Sequence, residues 1–500
     1  MSQDNLQRTH LTAQHFTNYG AVVGPTAADD LAPLLDDMDH KIGISTATLV
    51  STDTLLQKAN KVPQYAAALS VTLGAFALGN VLAWTSPVNL ENKLGTTEWA
   101  WIGALMALGA ACVVIPMGYL IDRFGRKNTM LSLVLPFTGG WALMVWADDN
   151  VGMYMAGRFI TGMMGGAFSL TAPVYTSEIA EKEIRGALGS YFQLMVTIGI
   201  LFVYGIGSAV EPMHLSMICG IVPLVFGVIF FFMPETPLYH LKKGEKDKAR
   251  ASLQWFRGRN YNVDAELQEI QDALDEAAAQ KTSFRQAFSS KASKKALFIG
   301  FGLMIFQQLS GVNAVIFYTT KIFEAAGSTM EPSLCTIIVG TIQVIATFLS
   351  TLIVDRLGRR ILLLISDSVM AICALALGVF FYMLDAVEDD VSSYNWLPLV
   401  SVCLFIVVFS LGYGPIPWMM MGELFSPQIK GVASSLACLL NWILAFLVTR
   451  FYSDLVNEIH SYSTFWIFAG ISALGTVFVL IFVPETKGKS MDEIQADLGK

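Results

Sequence analysis

Apolar residues run through this chain in long blocks, and the polar residues are gathered into the stretches between them. A helix needs about 20 apolar residues to cross the hydrocarbon core of a bilayer. Twelve blocks reach that scale, at 65–88, 99–121, 129–147, 152–176, 187–210, 214–233, 297–320, 333–354, 361–384, 396–422, 431–451 and 463–483. The stretch 234–296 is polar, with Lys/Glu/Ala-rich runs such as Gly244 to Arg250 and Asp264 to Gln280, and predicts a linker of short helices.

The pattern also repeats. DRFGRK from Asp122 returns as DRLGRR from Asp355, and EIAEKEIRGALGS from Glu178 returns as ELFSPQIKGVASS from Glu423. A repeat at half length in an apolar chain indicates two similar bundles joined in tandem, an architecture common among secondary transporters. The expected fold is an all-α membrane protein of twelve transmembrane helices in two pseudo-symmetric six-helix bundles. The expected organisation is a tail at 1–60, bundles at 61–233 and 297–484, a helical linker at 234–296 and a second tail at 485–500.

Composition agrees: 54% apolar and 14% charged residues do not fit a soluble globular domain. Of the 32 Lys and Arg, 28 fall on one side if both termini face the cytosol. Only Lys93, Lys321 and Arg450 lie in the opposite loops, with Arg158 near that end of the fourth block. The excess of basic residues on cytosolic loops sets the orientation. No signal peptide is expected. The six cysteines all fall in apolar blocks and read as small buried hydrophobes, with neither disulfide nor metal spacing. Residues Asp30 to Leu35 fit an acidic dileucine sorting signal, a short pattern that also arises by chance.

The repeated charges are candidates for a gate on the cytosolic side: Asp122, Arg123, Arg126, Glu178 and Arg185 in one half, and Asp355, Arg356, Arg359, Glu423 and Lys430 in the other. Arginine pairs bidentately with carboxylates, so such positions can latch neighbouring helices. A latch of this kind is expected to break when the cytosolic side opens. The bland alternative is that basic loops only hold orientation.

PETPL (Pro234 to Leu238), QQLSGVN (Gln307 to Asn313), GYGPIPW (Gly412 to Trp418) and VPETKG (Val483 to Gly488) accompany the paired GRK/GRR loops. Together they make residues 65 to 495 resemble the sugar porters of the major facilitator superfamily. Within it the chain is most similar to the insect facilitated trehalose transporters and related glucose transporters, including the Trp84-Thr-Ser-Pro87 end of the first block. The resemblance implies sugar transport by alternating access.

A neutral sugar needs uncharged groups that donate and accept hydrogen bonds, beside an apolar or aromatic face. Gln307, Gln308 and Asn313 on the seventh block and Gln193 on the fifth are amides at membrane depth, and Ser310-Gly311 is suited to a helix break. The alternative for Gln193 is a structural hydrogen bond between helices. Trp418 follows Pro415 and Pro417, which bend the tenth block, and can stack on a sugar ring. By the resemblance, substrate contact is carried to Gln193, Gln307, Gln308, Asn313, Trp418 and Asn441. Gln343 joins them, standing where the well-known glucose facilitators have an asparagine. Ser410 and Ala445 stand where those proteins have a glutamate and an asparagine, which permits a roomier, disaccharide-sized pocket.

Proton-coupled members carry an acid near Asn80, and no acid or histidine occupies the middle of a block here, Asp367 being the nearest exception. Facilitated diffusion is therefore expected, of trehalose or alternatively of glucose. A non-transporting sugar receptor is the alternative from another class. No nucleotide loop, metal constellation or nucleophile with its base points to an enzyme, and Gly74 to Gly79 and Gly162 to Gly166 read as helix-packing faces. The expected partners are a small-molecule sugar and the lipid bilayer, with no cofactor, no metal and no nucleic acid; a monomer suffices. The plasma membrane is the expected location, with an endosomal or lysosomal membrane as the alternative.

Overall fold

In the computed structural model, residues 59–279, 290–328, 330–387, 391–426, 429–489 and 491–499 are described. Asp30 to Leu35, and the side chain of Asp355, lie outside the described residues. Asn60–Arg259 together with Val263–Lys500 form one compact body, treated below.

The first half holds α1 (Val62–Ala83), α2 (Thr96–Phe124), α3 (Arg126–Val145), α4 (Val151–Ile179), α5 (Arg185–Gly207) and α6 (Pro212–Phe231). Three linker helices follow: α7 (Pro237–Lys242), α8 (Lys246–Arg257) and α9 (Val263–Ala279). The second half holds α10 (Lys291–Leu309), α11 (Val312–Ala325), α12 (Pro332–Leu357), α13 (Arg359–Asp385), α14 (Leu397–Leu411), α15 (Ile416–Leu424) and α16 (Lys430–Phe482), and α17 (Met491–Gly499) ends the chain.

Among the described residues ten helices are long and apolar enough to cross a membrane. The difference from twelve has two causes. α4 is long enough, but its Gly, Thr and Ser content dilutes its apolarity. α16 contains two passes: its 53 residues would run about 80 Å at 1.5 Å per residue, far beyond one bilayer. It reverses at His460, whose φ of 65° and ψ of 160° interrupt the helix. The sequence pattern places a loop at 452–462. Helix continues up to His460 instead, supported by an Arg450–Asp454 pair at 2.6 Å, four residues apart.

Small residues set the spacing inside the first half. A Cβ added at Gly162 would lie 2.0 Å from the Met106 carbonyl oxygen, so α2 and α4 touch backbone to backbone. Arg158, fully buried, locks the same region: it donates to the carbonyl oxygens of Val81 at 2.6 Å and Ile102 at 3.2 Å. Leu135, Val228, Ile345, Ile372 and Leu474 are exposed on the outer walls, where a bilayer replaces water. Cys112 is exposed on α2 and Cys403 half-buried, so not all six cysteines are core residues.

The linker helices pack on the first half. Arg257 of α8 is buried, donates to the Ile179 carbonyl at the end of α4 at 2.8 Å, and holds Glu266 of α9 at 2.6 Å. α17 packs on α10 and α15. Its Ile494 and Leu498, four apart on one face, are buried, and Gln495 donates to the Leu424 carbonyl at 2.6 Å. The segment expected as a tail from 485 thus includes a docked helix of the second half.

Candidate substrate site and the two closures

The seventh pass breaks where expected: Gly311 adopts φ +87° between α10 and α11. A Cβ there would also meet the Phe468 ring at 2.5 Å. The tenth pass breaks between Leu411 and Ile416. The second break exposes backbone carbonyls inside the membrane, and Gln307 satisfies them. Its Nε2 donates to the Tyr413 oxygen at 2.6 Å and the Gly414 oxygen at 3.0 Å.

From there a chain of amides runs through the second half. Asn441 Nδ2 donates to Gln307 Oε1 at 2.7 Å, Gln308 Nε2 donates to Asn441 Oδ1 at 2.9 Å, and Asn313 Nδ2 donates to Gln308 Oε1. All four residues are buried. Bonds aligned head to tail in a low-dielectric interior polarise one another, so the chain is stiff as well as satisfied. Each amide nitrogen carries two hydrogens. Gln307 spends both on the break, and Asn441 adds a contact to Met304 Sδ at 3.3 Å. Gln308 and Asn313 each keep one donor in reserve. The buried Trp442 Nε1 also has no partner among the described residues.

The remaining candidates do not join this chain. Gln193 is half-buried on α5 and Gln343 buried on α12, and among the described residues neither amide has a hydrogen-bond partner. Gln193 therefore does not make the helix-to-helix bond that was its alternative reading. Trp418 on α15 is 36% exposed. Ser410 and Ala445 are only 5% and 1% exposed, so in this state they face protein rather than open space. Asp367 is buried on α13 beside the Tyr413 hydroxyl. Gly475 makes the room: a Cβ there would lie 2.1 Å from Asp367 Oδ2. Asn80, in the amide orientation that satisfies it, donates to the Phe76 oxygen at 3.2 Å and the Gly199 oxygen at 3.1 Å, tying α1 to α5.

On the face carrying the basic loops, each half holds one copy of the same cluster. Arg126 Nε and Nη2 donate to Glu178 Oε1 at 3.0 and 2.8 Å, and Thr236 Oγ1 donates to Glu178 Oε2 at 2.6 Å. In the second half Arg359 Nε donates to Glu423 Oε1 at 3.2 Å and Thr486 Oγ1 to Glu423 Oε2 at 2.6 Å. Glu235 accepts from the Lys127 N–H at 2.9 Å, and Glu485 from those of Arg359 and Arg360 at 3.0 and 3.1 Å. Each caps the N-terminus of the helix after its glycine turn, where a carboxylate meets the positive end of the dipole. Burial pushes the Glu235 carboxyl up, against its backbone hydrogen bonds. At Glu485 burial pushes the same way but the backbone N–H groups prevail and hold the carboxyl below its usual range.

Both PET motifs thus carry a cap and a brace. The motifs stand out in the sequence, but the roles of their Glu and Thr do not; the signal for those roles is the repetition itself, once after the sixth block and once after the twelfth.

Other gate candidates behave differently from expectation. Asp122 pairs with Arg126 at 3.2 Å and Lys242 at 3.3 Å, while Arg123 and Arg356 are exposed. Arg185 donates to the Ala180 oxygen at 3.4 Å and Lys430 to the Gly422 oxygen at 2.9 Å, so neither repeats the other as partner of an acid. The halves stand apart on this face. Arg185 to Ala187 are exposed, as are Val432 and Leu436, and no atom lies within 4 Å of a Cβ built at Gly186, Gly189 or Gly431. The Arg126–Glu178 and Arg359–Glu423 pairs, expected to break on opening, are intact because each joins helices of one half. The linker helices lie on the first half, through Arg257 and the Ile179 carbonyl.

The opposite face is closed by bonds between the halves. Ser86 and Thr320 hydroxyls meet at 3.1 Å, Thr85 Oγ1 donates to the Phe317 oxygen at 3.4 Å, and Tyr204 OH donates to the Ile316 oxygen at 2.8 Å. Lys321 Nζ reaches Glu91 at 2.7 Å, and the Trp101 ring lies 5.9 Å from that of Phe446. An amide chain beside two broken helices, closed on one face and open on the other, is the geometry of a carrier.

The family model described as "Sugar (and other) transporter" matches residues 49–498. The chain belongs to that family. As a transporter it is similar to the facilitated trehalose transporter Tret1 of Culex quinquefasciatus, 42% identical over 444 residues that make up 86% of this chain and 85% of that one. To Tret1 of Anopheles gambiae it is 42% identical over 441 residues, 86% of this chain but 55% of the relative, so the transporter spans about half that protein's length. Among solved structures it is similar to the major facilitator superfamily proton:xylose symporter XylE bound to 6-bromo-6-deoxy-D-glucose, at TM-score 0.72 and 26% identity, covering 88% of this chain and 100% of that one. It is equally similar to the inward open conformation of XylE from E. coli, at TM-score 0.73 and 25% identity, covering 86% and 98%. The transporter is a multi-pass membrane protein with the major facilitator fold, and not an enzyme.

Proposed function

We propose that the chain is a facilitative sugar uniporter whose substrate is trehalose, working by alternating access between its two halves. The amide chain from Asn313 to Gln307 carries this reading. It offers spare donors on Gln308 and Asn313 to a sugar hydroxyl, while Gln307 and Asn441 hold that surface in place. Gln193 and Gln343 add amides with no hydrogen-bond partner among the described residues, and Trp418 adds an exposed ring. The substrate is a proposal from the trehalose-transporting relatives at 42% identity. The basic face is cytosolic, both termini lie there, and the plasma membrane is the site of action; 28 of 32 basic residues on that side support this orientation. The gate role of the basic cluster is revised: Arg126–Glu178 and Arg359–Glu423 brace each half as it moves. A monomer is sufficient for the cycle.

Asp367 does not supply a proton relay in this reading: its carboxyl is packed against Gly475, behind the break that Gln307 satisfies. Tracer uptake into proteoliposomes tests the proposal, with trehalose or glucose and with or without a pH gradient. Trehalose entry at a rate indifferent to the gradient is expected. Glucose entry alone would reassign the substrate, and gradient-driven uptake lost in Asp367→Asn would replace uniport by proton coupling. Sugar binding without counterflow would make the protein a receptor.

A further inference from the structure

The exceptions to the charge pattern have a use. Three cations lie toward the sparsely charged face, all of them in helices: Lys93, Lys321 and Arg450. Basic residues are depleted on such a face, which makes the contacts of these three informative. Lys93 pairs with Asp149 within the first half, and both side chains are largely exposed. The other two belong to the second half and reach across to the first.

Lys321, at the end of α11, places its Nζ 3.0 and 2.7 Å from the two carboxylate oxygens of Glu91. Glu91 sits in the short helix Glu91–Leu94 between α1 and α2. The side chains are 34% and 14% exposed, so the pair is half sheltered and reachable by salt. Arg450 of α16 stacks its guanidinium 4.9 Å from the Trp101 ring centre of α2, a cation–π contact between the halves. Asp454 holds the same guanidinium from its own helix at 2.6 Å.

We infer that Lys321–Glu91 and Arg450–Trp101 form a charge lock that holds this face shut and biases the carrier toward the state open on the basic face. The two cations sit on different elements of one half and grip two different elements of the other. Moving the halves apart must therefore break both contacts together. Neither cation is stranded when that happens. Arg450 keeps Asp454, and Lys321 has Glu324 one turn along its own helix, exposed and three residues away. Exchange of a partner in the other half for a partner in the same half keeps the step reversible for both cations, since neither is left without a nearby carboxylate. A lock made of buried pairs would lack this property.

The inference rests on the alternating-access reading but not on the identity of the sugar, so its test uses no sugar. In a Cys112→Ser background, Ser86→Cys places a thiol beneath the lock, where Ser86 is buried. A membrane-impermeant maleimide is applied from the lock side of proteoliposomes. Labelling is expected to accelerate about threefold in Lys321→Gln and in Glu91→Gln, the scale of a partly exposed ion pair. The exchange Glu91→Lys with Lys321→Glu is expected to return it toward the parent rate. Added salt should speed the parent and leave Glu91→Gln unchanged. Equal rates in the parent and both single variants would overturn the lock. Acceleration that the charge exchange fails to reverse would also overturn it, since shape rather than charge would then be closing the face. If one variant does not fold, Arg450→Gln reads the second contact with the same probe.

Discussion

The two faces of this transporter are held by opposite kinds of interaction. On the basic face the strong pairs lie within each half: Arg126 and Glu178 have side chains 3% and 9% exposed, and each is also bound by further partners. On the opposite face the bonds that join the halves are individually weak, being hydroxyl contacts, carbonyl contacts, one half-sheltered ion pair and the Arg450–Trp101 contact. Hydrogen bonds of that kind contribute about 0.5–1.5 kcal/mol each, whereas losing one partner of a buried ion pair costs about 3–5 kcal/mol. A carrier must break and remake its closures many times. It can do so only if the strong interactions travel inside the rigid halves and the weak ones lie on the seam.

The largest test of this contrast is Arg126→Ala. It strands Glu178, and a loss of about 3 kcal/mol or more is expected, read as a collapse of thermal stability in the purified protein. Lys321→Gln on the seam should leave that melting curve within about 0.5 kcal/mol of the parent. Equal destabilisation by both would erase the distinction. Next in size is the seam itself. Ser86→Ala removes a contact worth about 1 kcal/mol, a shift of about fivefold toward the state open on the far face, with unchanged thermal stability. Sugar-protected labelling or the ratio of KM values measured from the two sides reads it.

The smallest effect distinguishes the two caps. Glu485 has its carboxyl held below the ordinary glutamate value of 4.5, so its contribution to stability is present above that value and is lost as the pH falls through the folded one. Glu235 has its carboxyl raised by burial, so in the window above 4.5 acid instead relieves the cost of its buried charge. Melting between neutral pH and about pH 4 should therefore fall less steeply with acid in Glu485→Gln than in the parent, and more steeply in Glu235→Gln.

Much of this arrangement was legible in the chain. The half-length repeat signals two bundles, because charged phrases that recur in order between apolar blocks require the same helix connections to occur twice. Ser310-Gly311 marks the break because glycine takes φ +87° without strain. The amides Gln307, Gln308 and Asn313 stood out since a buried amide needs a partner, and Asn441 through the family resemblance. Their order along the hydrogen-bond chain was not legible: Gln307 and Asn441 are 134 positions apart, and only folding decides which donates to which. The seam was hidden for a different reason. Hydroxyls such as Ser86 and Thr320 are common in membrane helices, where each can bond its own backbone, so nothing in their spacing reveals that these two meet. The cap by Glu235 was invisible because it acts on a backbone N–H at Lys127, and backbone groups leave no mark in a sequence.

The docked helices on the basic face give each half an external handle. α8 is fastened to the first half through Arg257 and α17 to the second through Ile494, Leu498 and Gln495. Both are amphipathic, with outward positions free of the transport path. A pair of spectroscopic labels, one on each, would act as a ruler between rigid bodies. The carrier's stroke could then be followed in real time from water, with no substitution anywhere in the membrane.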